Sequence, residues 1–198
     1  MLCAAMIMTL VPACARESPR FRGNLLSRMS ISMASISKLS FRQIAAAGAL
    51  MCAALLAFGY YLQYFEAQDP CPLCLLQRGF YYGILAVLAA GALHGPARGG
   101  AIAYAIGALA FAAGGIATAV RHVWLQHLPP DQVPACGPDL FYMMENLPLG
   151  RTLQLLLRGS GQCAEVHWRF LGLSIAEWSL AWFLALAALA LTLALRKR

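Results

Sequence analysis

Four long apolar runs constrain this chain more than anything else in it: Ile44–Tyr64, Leu73–Leu93, Ala101–Leu125 and Ile175–Leu195. A helix needs about 20 apolar residues to cross a bilayer's hydrocarbon core, and each run has that length. Inside lipid, backbone N–H and C=O groups must be paired within the structure, so a single apolar run of this kind is a helix. Composition agrees. The chain is 61% hydrophobic and only 12% charged, against about 25% charged residues in a soluble domain. The second run is polar only near its start, at Gln77 and Arg78, and the third is mostly Ala, Gly, Ile and Leu until Arg121. Trp178 and Trp182 stand near the start of the fourth, where an interfacial belt places them. The expected fold class is an all-α membrane protein, a four-transmembrane-helix bundle.

The net charge of +7 could suit nucleic acid, but its distribution points to a membrane. Lys38 and Arg42 precede the first run, Arg98 lies between the second and third, and Arg196, Lys197 and Arg198 close the chain. With four spans these all fall on one side, which the positive-inside rule makes the cytoplasm. Glu66, Asp69, Asp131, Asp139, Glu145, Glu165 and Glu177 fall on the other side; only Glu17 does not. Both termini are expected in the cytoplasm. The loops at about 65–72 and 126–176 are expected outside, which in a bacterium is the periplasm, where disulfides persist. The bilayer is the expected environment, with no nucleic-acid partner.

Residues 1–40 are read as a disordered extension, or as the product of a start placed too early, with Met29 or Met33 as the true start. Residues 41–198 form the membrane domain. A cleavable signal at Ala13-Cys14-Ala15, or a lipoprotein site at Val11-Pro12-Ala13-Cys14, is disfavoured. No basic residue precedes the apolar stretch, and cleavage would leave Arg16, Arg20, Arg22, Arg28, Lys38 and Arg42 outside. His94–Gly100 is expected to be a tight Gly/Pro turn. In the long outer loop, Leu149, Leu153, Leu156 and Leu157 recur at helical spacing around Arg151 and Arg158. They predict a short amphipathic helix, lying in the membrane interface or packed on the loop's own core. Gly159-Ser160-Gly161 ends it and leaves Cys163 on a flexible segment.

Seven cysteines divide by location. Cys3 and Cys14 belong to the extension, and Cys52 is mid-span, where a lone cysteine is a small inert hydrophobe. Cys71-Pro72-Leu73-Cys74 forms a CxxC pair at the start of the second span, where thiols reach it from water and a lipid-soluble carrier reaches it from the bilayer. Cys74 opens a helix, whose free N–H groups stabilise a thiolate, the form that attacks disulfides. Arg78 is four residues on, on the same helix face. An ionisable residue just inside the membrane marks function by default, the alternative being an arginine that snorkels to the headgroups. Arg121, His122 and Trp124 stand at the outer end of the third span, level with Cys74. They are either an interfacial anchor or, through His122, a hydrogen-bond and proton donor to a reduced oxygen. Zinc is weighed for Cys71, Cys74, Cys136 and Cys163 and set aside, because structural sites usually use two CxxC-like knuckles and only one is present. No metal is expected. Covalent haem is excluded by Leu75, where a His is required, and no βαβ pattern of a thioredoxin domain surrounds the motif.

The segments Cys71-Pro72-Leu73-Cys74-Leu75-Leu76-Gln77-Arg78, Arg121-His122-Val123-Trp124-Leu125-Gln126, Cys136, Gly161-Gln162-Cys163-Ala164-Glu165 and Phe170-Leu171-Gly172-Leu173 with Trp178 together resemble the DsbB family. The resemblance covers about residues 40–196. It implies a bacterial inner-membrane protein-disulfide oxidase, within the DsbA–DsbB–quinone chain that keeps the periplasm oxidising. Cys136 and Cys163 match the loop pair that exchanges disulfides with a DsbA-like partner, with Cys136 the site of the mixed disulfide. Cys71 and Cys74 match the pair that reoxidises them, with Cys74 next to the quinone. Arg78 matches the quinone-site arginine, and His122 a histidine near the quinone ring. The implied cofactor is ubiquinone, or menaquinone under low oxygen. Gln77 stands where other members can carry an acid, and it is assigned no role.

Two other readings compete. The vitamin K epoxide reductase family also couples a CxxC to a quinone in four membrane helices, running in reverse. Here the CxxC begins the second span and the loop signature follows the third, which favours DsbB. A non-enzymatic scaffold with structural disulfides or zinc would leave the cysteines inert to partner thiols.

Overall fold

The computed structural model describes residues 40–67, 69–129, 131–134, 142, 145–166 and 168–196. All but Ser40 belong to the unit Phe41–Arg198. Each apolar run becomes one long helix: α1 (Phe41–Phe65), α2 (Pro72–His94), α3 (Arg98–Gln126) and, at the end of the chain, α6 (Ile175–Leu195). All four are long and apolar enough to cross a membrane. The fold is the expected all-α four-helix bundle. Its α3 packs against both α2 and α6, and α1 lies along α2 and touches α6.

The close contact has a sequence cause. The buried face of α3 reads Ala101, Ala105, Ala108, Ala112, Gly115, Ala119, small residues three or four apart, which let helix backbones approach closely. At Gly115 the neighbour is Phe183 of α6, fully buried and stacked on Tyr81 of α2 with ring centroids 4.1 Å apart. Tyr81 in turn donates its hydroxyl to the Ser179 carbonyl at 3.2 Å. One aromatic pair thus joins three helices.

The turn expected over His94–Gly100 is shorter than that. Gly95 caps α2 in the left-handed conformation (φ 56°), a position that favours glycine, and α3 already begins at Arg98. At this end Arg42 donates Nε to the Ala92 carbonyl at 2.9 Å, and Phe41, Arg98 and Arg196 meet around one small cavity. Arg42, Arg98 and Arg196 therefore lie at one end of the bundle. The cysteines of interest lie at the other.

In the long loop between α3 and α6 the amphipathic helix is present as α4 (Leu149–Arg158), followed by a single turn, α5 (Gly161–Ala164). Its last turn is tied inward, with Arg121 Nη2 donating to the Arg158 carbonyl at 3.1 Å. A hairpin that no pattern announced follows, β1 (Arg169–Phe170) paired antiparallel with β2 (Leu173–Ser174). Its two-residue turn, Leu171-Gly172, takes positive φ at both residues (52° and 82°), the twist that suits a tight hairpin. Ser174 then caps α6. Its Oγ accepts from the Glu177 N–H at 3.3 Å, and its own N–H donates to Glu177 Oε2 at 2.7 Å, a reciprocal capping box. The same Oγ donates to Gln126 Oε1 at 2.8 Å, pinning the start of α6 to the end of α3.

Candidate functional site

The CxxC motif is a helix start. Cys71 is the N-cap of α2 in extended conformation, and Pro72 occupies the first turn, where its missing N–H costs nothing. This geometry turns Cys71 Sγ back over the helix, where it accepts the Cys74 N–H at 3.4 Å and lies 3.2 Å from Cys74 Sγ. Both thiols are free. From Cys74 the helix repeat carries Gln77, Arg78 and Tyr81 onto the wall of one cavity of about 660 Å³. Cys71, Cys74 and His122 line it as well, alongside apolar residues such as Leu56, Leu62 and Trp182.

α3 delivers His122 from the side. Its ring is buried, with Nε2 3.7 Å from Cys71 Sγ and Nδ1 3.3 Å from Gln77 Nε2. The Arg-His-Trp cluster therefore divides. Arg121 stacks over the Trp124 ring at 4.2 Å and ties down α4, as an anchor would, while His122 turns inward to the cysteines. Gln77 is the residue that sequence reasoning missed. It is 4% exposed and orients the histidine. A glutamine buried in the first two turns of an apolar span was the available signal, since a buried polar group needs a partner.

Arg78 does not simply snorkel. Nη1 donates to Gln63 Oε1 at 2.6 Å, Nη2 donates to the Gly59 carbonyl at 2.9 Å, and the guanidinium lies 4.8 Å over the Tyr60 ring. All three partners belong to α1, so a second helix fixes the cation at the cavity wall that Cys74 shares.

Cys163 departs most from expectation. The flexible segment is instead the ordered turn α5, and Cys163 is fully buried against Cys71, Leu73 and Leu125. Its thiol lies beside that of Cys71 and 3.9 Å from Ser160 Oγ. The cause is Gly159, at φ 76°, where a Cβ would come within 2.4 Å of Leu125 Cδ1. Only glycine lets the chain fold back this closely. Cys136, expected as the other member of the loop pair, lies outside the described residues.

The environment favours the protonated form of both the Cys71 and the Cys163 thiol. The Cys163 thiol is pushed well above the ordinary cysteine range by its hydrogen bond to Cys71, then by burial and by the neighbouring sulfur's charge. The Cys71 thiol is pulled down by its hydrogen bond with Cys163, but the contact with Cys74 and burial outweigh that and leave it raised. Each unit of upward shift removes tenfold of the reactive thiolate at neutral pH. In the reduced, folded protein at pH 8, maleimide should label Cys163 roughly 100-fold more slowly than in denaturant. Labelling should still be accelerating with pH above 9, as the raised thiol begins to ionise. Peptide mass spectrometry reads this directly, and labelling at the denatured rate would mean that α5 is not formed.

The sequence that carries these thiols, the arginine and the histidine matches a known group of proteins. The sequence profile described as "Disulfide bond formation protein DsbB" matches residues 41–193. The "Disulfide bond formation protein B" of Methylococcus capsulatus is 51% identical over 144 residues, covering 73% of this chain and 88% of the relative. Its namesake in Nitrosococcus oceani is 47% identical over 154 residues, covering 78% and 91%. The same name belongs to the relative from Marinobacter nauticus, 47% identical over 148 residues, with 75% and 88% covered. With four apolar helices carrying clustered thiols, the chain belongs to the DsbB family of multi-pass inner-membrane disulfide oxidoreductases.

Proposed function

We propose that this protein reoxidises a periplasmic DsbA-like dithiol protein and passes the electrons through two cysteine pairs to membrane quinone, as a thiol:quinone oxidoreductase. The observation that carries the reading is the seating of Cys163 against Cys71 while Cys74 lines the cavity with Arg78 and His122. Both thiols of the pair line the cavity, and Cys71 also meets the loop through Cys163.

The exchange steps balance. A partner thiolate attacks the Cys136–Cys163 disulfide at Cys136 and releases Cys163. The partner's second thiol then resolves the mixed disulfide, leaving the partner oxidised and the loop pair reduced. Cys163, as thiolate, attacks Cys71 of the Cys71–Cys74 disulfide and displaces Cys74. Cys136 then attacks Cys163, restoring the loop disulfide and freeing Cys71. The net result is two thiols, Cys71 and Cys74, holding the partner's two electrons and two protons. Thiol–disulfide exchange needs a thiolate and an in-line sulfur, and a Cys163 already in contact with Cys71 supplies the approach.

The cavity suits a quinone in kind: apolar walls for a ring and isoprenoid tail, and two fixed polar groups, Arg78 and His122, for ring oxygens. Ubiquinone, or menaquinone under low oxygen, when bound there supplies the two-electron acceptor that returns Cys71 and Cys74 to the disulfide. Arg78 is held in place before any negative charge develops, so it pays no reorganisation cost when it stabilises an oxyanion. His122 stands ready to hold or move a proton beside Cys71. The basic end of the bundle, with Arg42, Arg98 and Arg196, supports an orientation with that end in the cytoplasm and the cysteines in the periplasm.

The test is quinone reduction by the purified protein in detergent, fed with a reduced DsbA-type dithiol and ubiquinone and followed by loss of quinone absorbance. Catalytic turnover that disappears in Cys71→Ser is expected. Absence of turnover in the wild type, with its outer cysteines inert to the partner, would favour a structural role.

A further inference from the structure

We propose that the reduced protein carries a zinc-type site built from Cys71, Cys74 and His122, so that a soft divalent cation competes with disulfide formation. Taken as cysteines alone, Cys71, Cys74, Cys136 and Cys163 are one knuckle short of a structural zinc site. The structure brings together a different set. The ligand atoms of Cys71, Cys74 and His122 all lie within 4.8 Å of one another. Two thiols and one imidazole, with water in the fourth position, are a known donor set for tetrahedral zinc.

The distances fit. Zinc–sulfur bonds of about 2.3 Å and zinc–nitrogen bonds of about 2.0 Å set tetrahedral edges of about 3.8 Å between sulfurs and about 3.5 Å between sulfur and nitrogen. Cys71 and Cys74 are 3.2 Å apart, and Cys71 and His122 are 3.7 Å apart. Capture of the ion therefore needs the two sulfurs to part by about half an ångström, which a thiol rotation provides.

The surroundings complete the site. Gln77 faces the far nitrogen of His122, Nδ1, leaving Nε2 directed at the sulfurs. An amide can serve either tautomer by rotating end for end, so Gln77 can accept from Nδ1–H and present the Nε2 lone pair to a metal. The Cys74 N–H bonds to Cys71 Sγ and supports its negative charge. Asp69 and Glu165 line the same cavity, and acidic groups raise the local concentration of a cation.

Binding moves no electrons. Thiols release their protons to solvent as sulfur–metal bonds form. A Cys71–Cys74 disulfide ties up two donors, so the site exists only while that pair is reduced. The cation would be an inhibitor gated by redox state and takes no part in turnover. The inference needs only the thiols and the histidine, and does not depend on the quinone reading.

Cobalt is the probe. The full-length protein in detergent is reduced, freed of reductant without oxygen, and titrated with Co²⁺. One Co²⁺ per chain is expected, with the strong visible and thiolate charge-transfer bands of tetrahedral cobalt, all displaced by one Zn²⁺. The same protein after oxidation, and Cys71→Ser, should lose these bands, whereas Cys136→Ser should keep them. Gln77→Ala should keep the spectrum but weaken binding about 10- to 100-fold, the usual effect of losing a group that orients a ligand histidine. Weak octahedral absorption in the reduced wild type would overturn the site, as would tetrahedral bands that persist after oxidation or vanish in Cys136→Ser. Quinone turnover by metal-free protein is a separate readout. Turnover without tetrahedral cobalt refutes this site alone, and tetrahedral cobalt without turnover refutes the oxidase alone.

Discussion

Cys74→Ser is expected to lower quinone reduction about a thousandfold or more, while the protein still captures its partner. Without Cys74 the membrane-proximal pair cannot close, so no two-electron step can leave the protein. The loop chemistry survives. Cys163 sits beside Cys71, so Cys71 can attack the Cys136–Cys163 disulfide at Cys163, forming a Cys71–Cys163 disulfide and releasing Cys136 as a thiol. Cys136, left without an internal partner, would then attack the disulfide of an oxidised DsbA-like protein and hold it as a mixed disulfide, freeing that protein's second thiol. Non-reducing electrophoresis should show that adduct, and peptide mapping should show Cys71 joined to Cys163. Wild-type quinone turnover in this variant would overturn the electron order.

The second large effect is structural. Gly115→Val should destabilise the bundle by about 3 kcal/mol, at the upper end of ordinary overpacking costs. A Cβ at this position would meet three Phe183 ring atoms at 2.3, 2.4 and 2.5 Å. The ring cannot yield easily, because it is fully buried and stacked on Tyr81. Thermal unfolding in detergent should show a lower midpoint. Adding Phe183→Ala should recover part of the loss, the non-additivity expected of residues in contact. A single variant with an unchanged midpoint would mean that α3 and α6 do not approach as described. Tyr81 also lines the site cavity, so the same substitution should weaken quinone turnover along with stability.

The four spans were legible because the bilayer imposes a blunt rule, that apolar runs of a fixed length form helices. Ile175–Leu195 was read residue for residue. The other three gained one to three residues at their ends, such as Arg98-Gly99-Gly100, which looked like a turn and instead begin α3. Helices continue past their apolar portion when backbone bonds can still be made. The CxxC was legible for a related reason. Its two sulfurs are brought together by a local event, the capping of one helix start. Arg78 was placed correctly on the Cys74 face by helical spacing, but its anchors Gly59, Tyr60 and Gln63 on α1 were not foreseen.

The sequence by itself determined the class, the spans and the amphipathic helix. Each of these depends on composition or on short-range periodicity. Tertiary structure alone decided which residues meet. Cys163 reaches Cys71 across more than ninety positions because Gly159 lets the loop fold onto Leu125. His122 reaches the same sulfur because α3, stripped of large side chains on its buried face, packs close to α2. Gln77 acquires its role only when that histidine arrives beside it. Contacts of this kind arise from packing between separate helices, and no spacing along the chain encodes them.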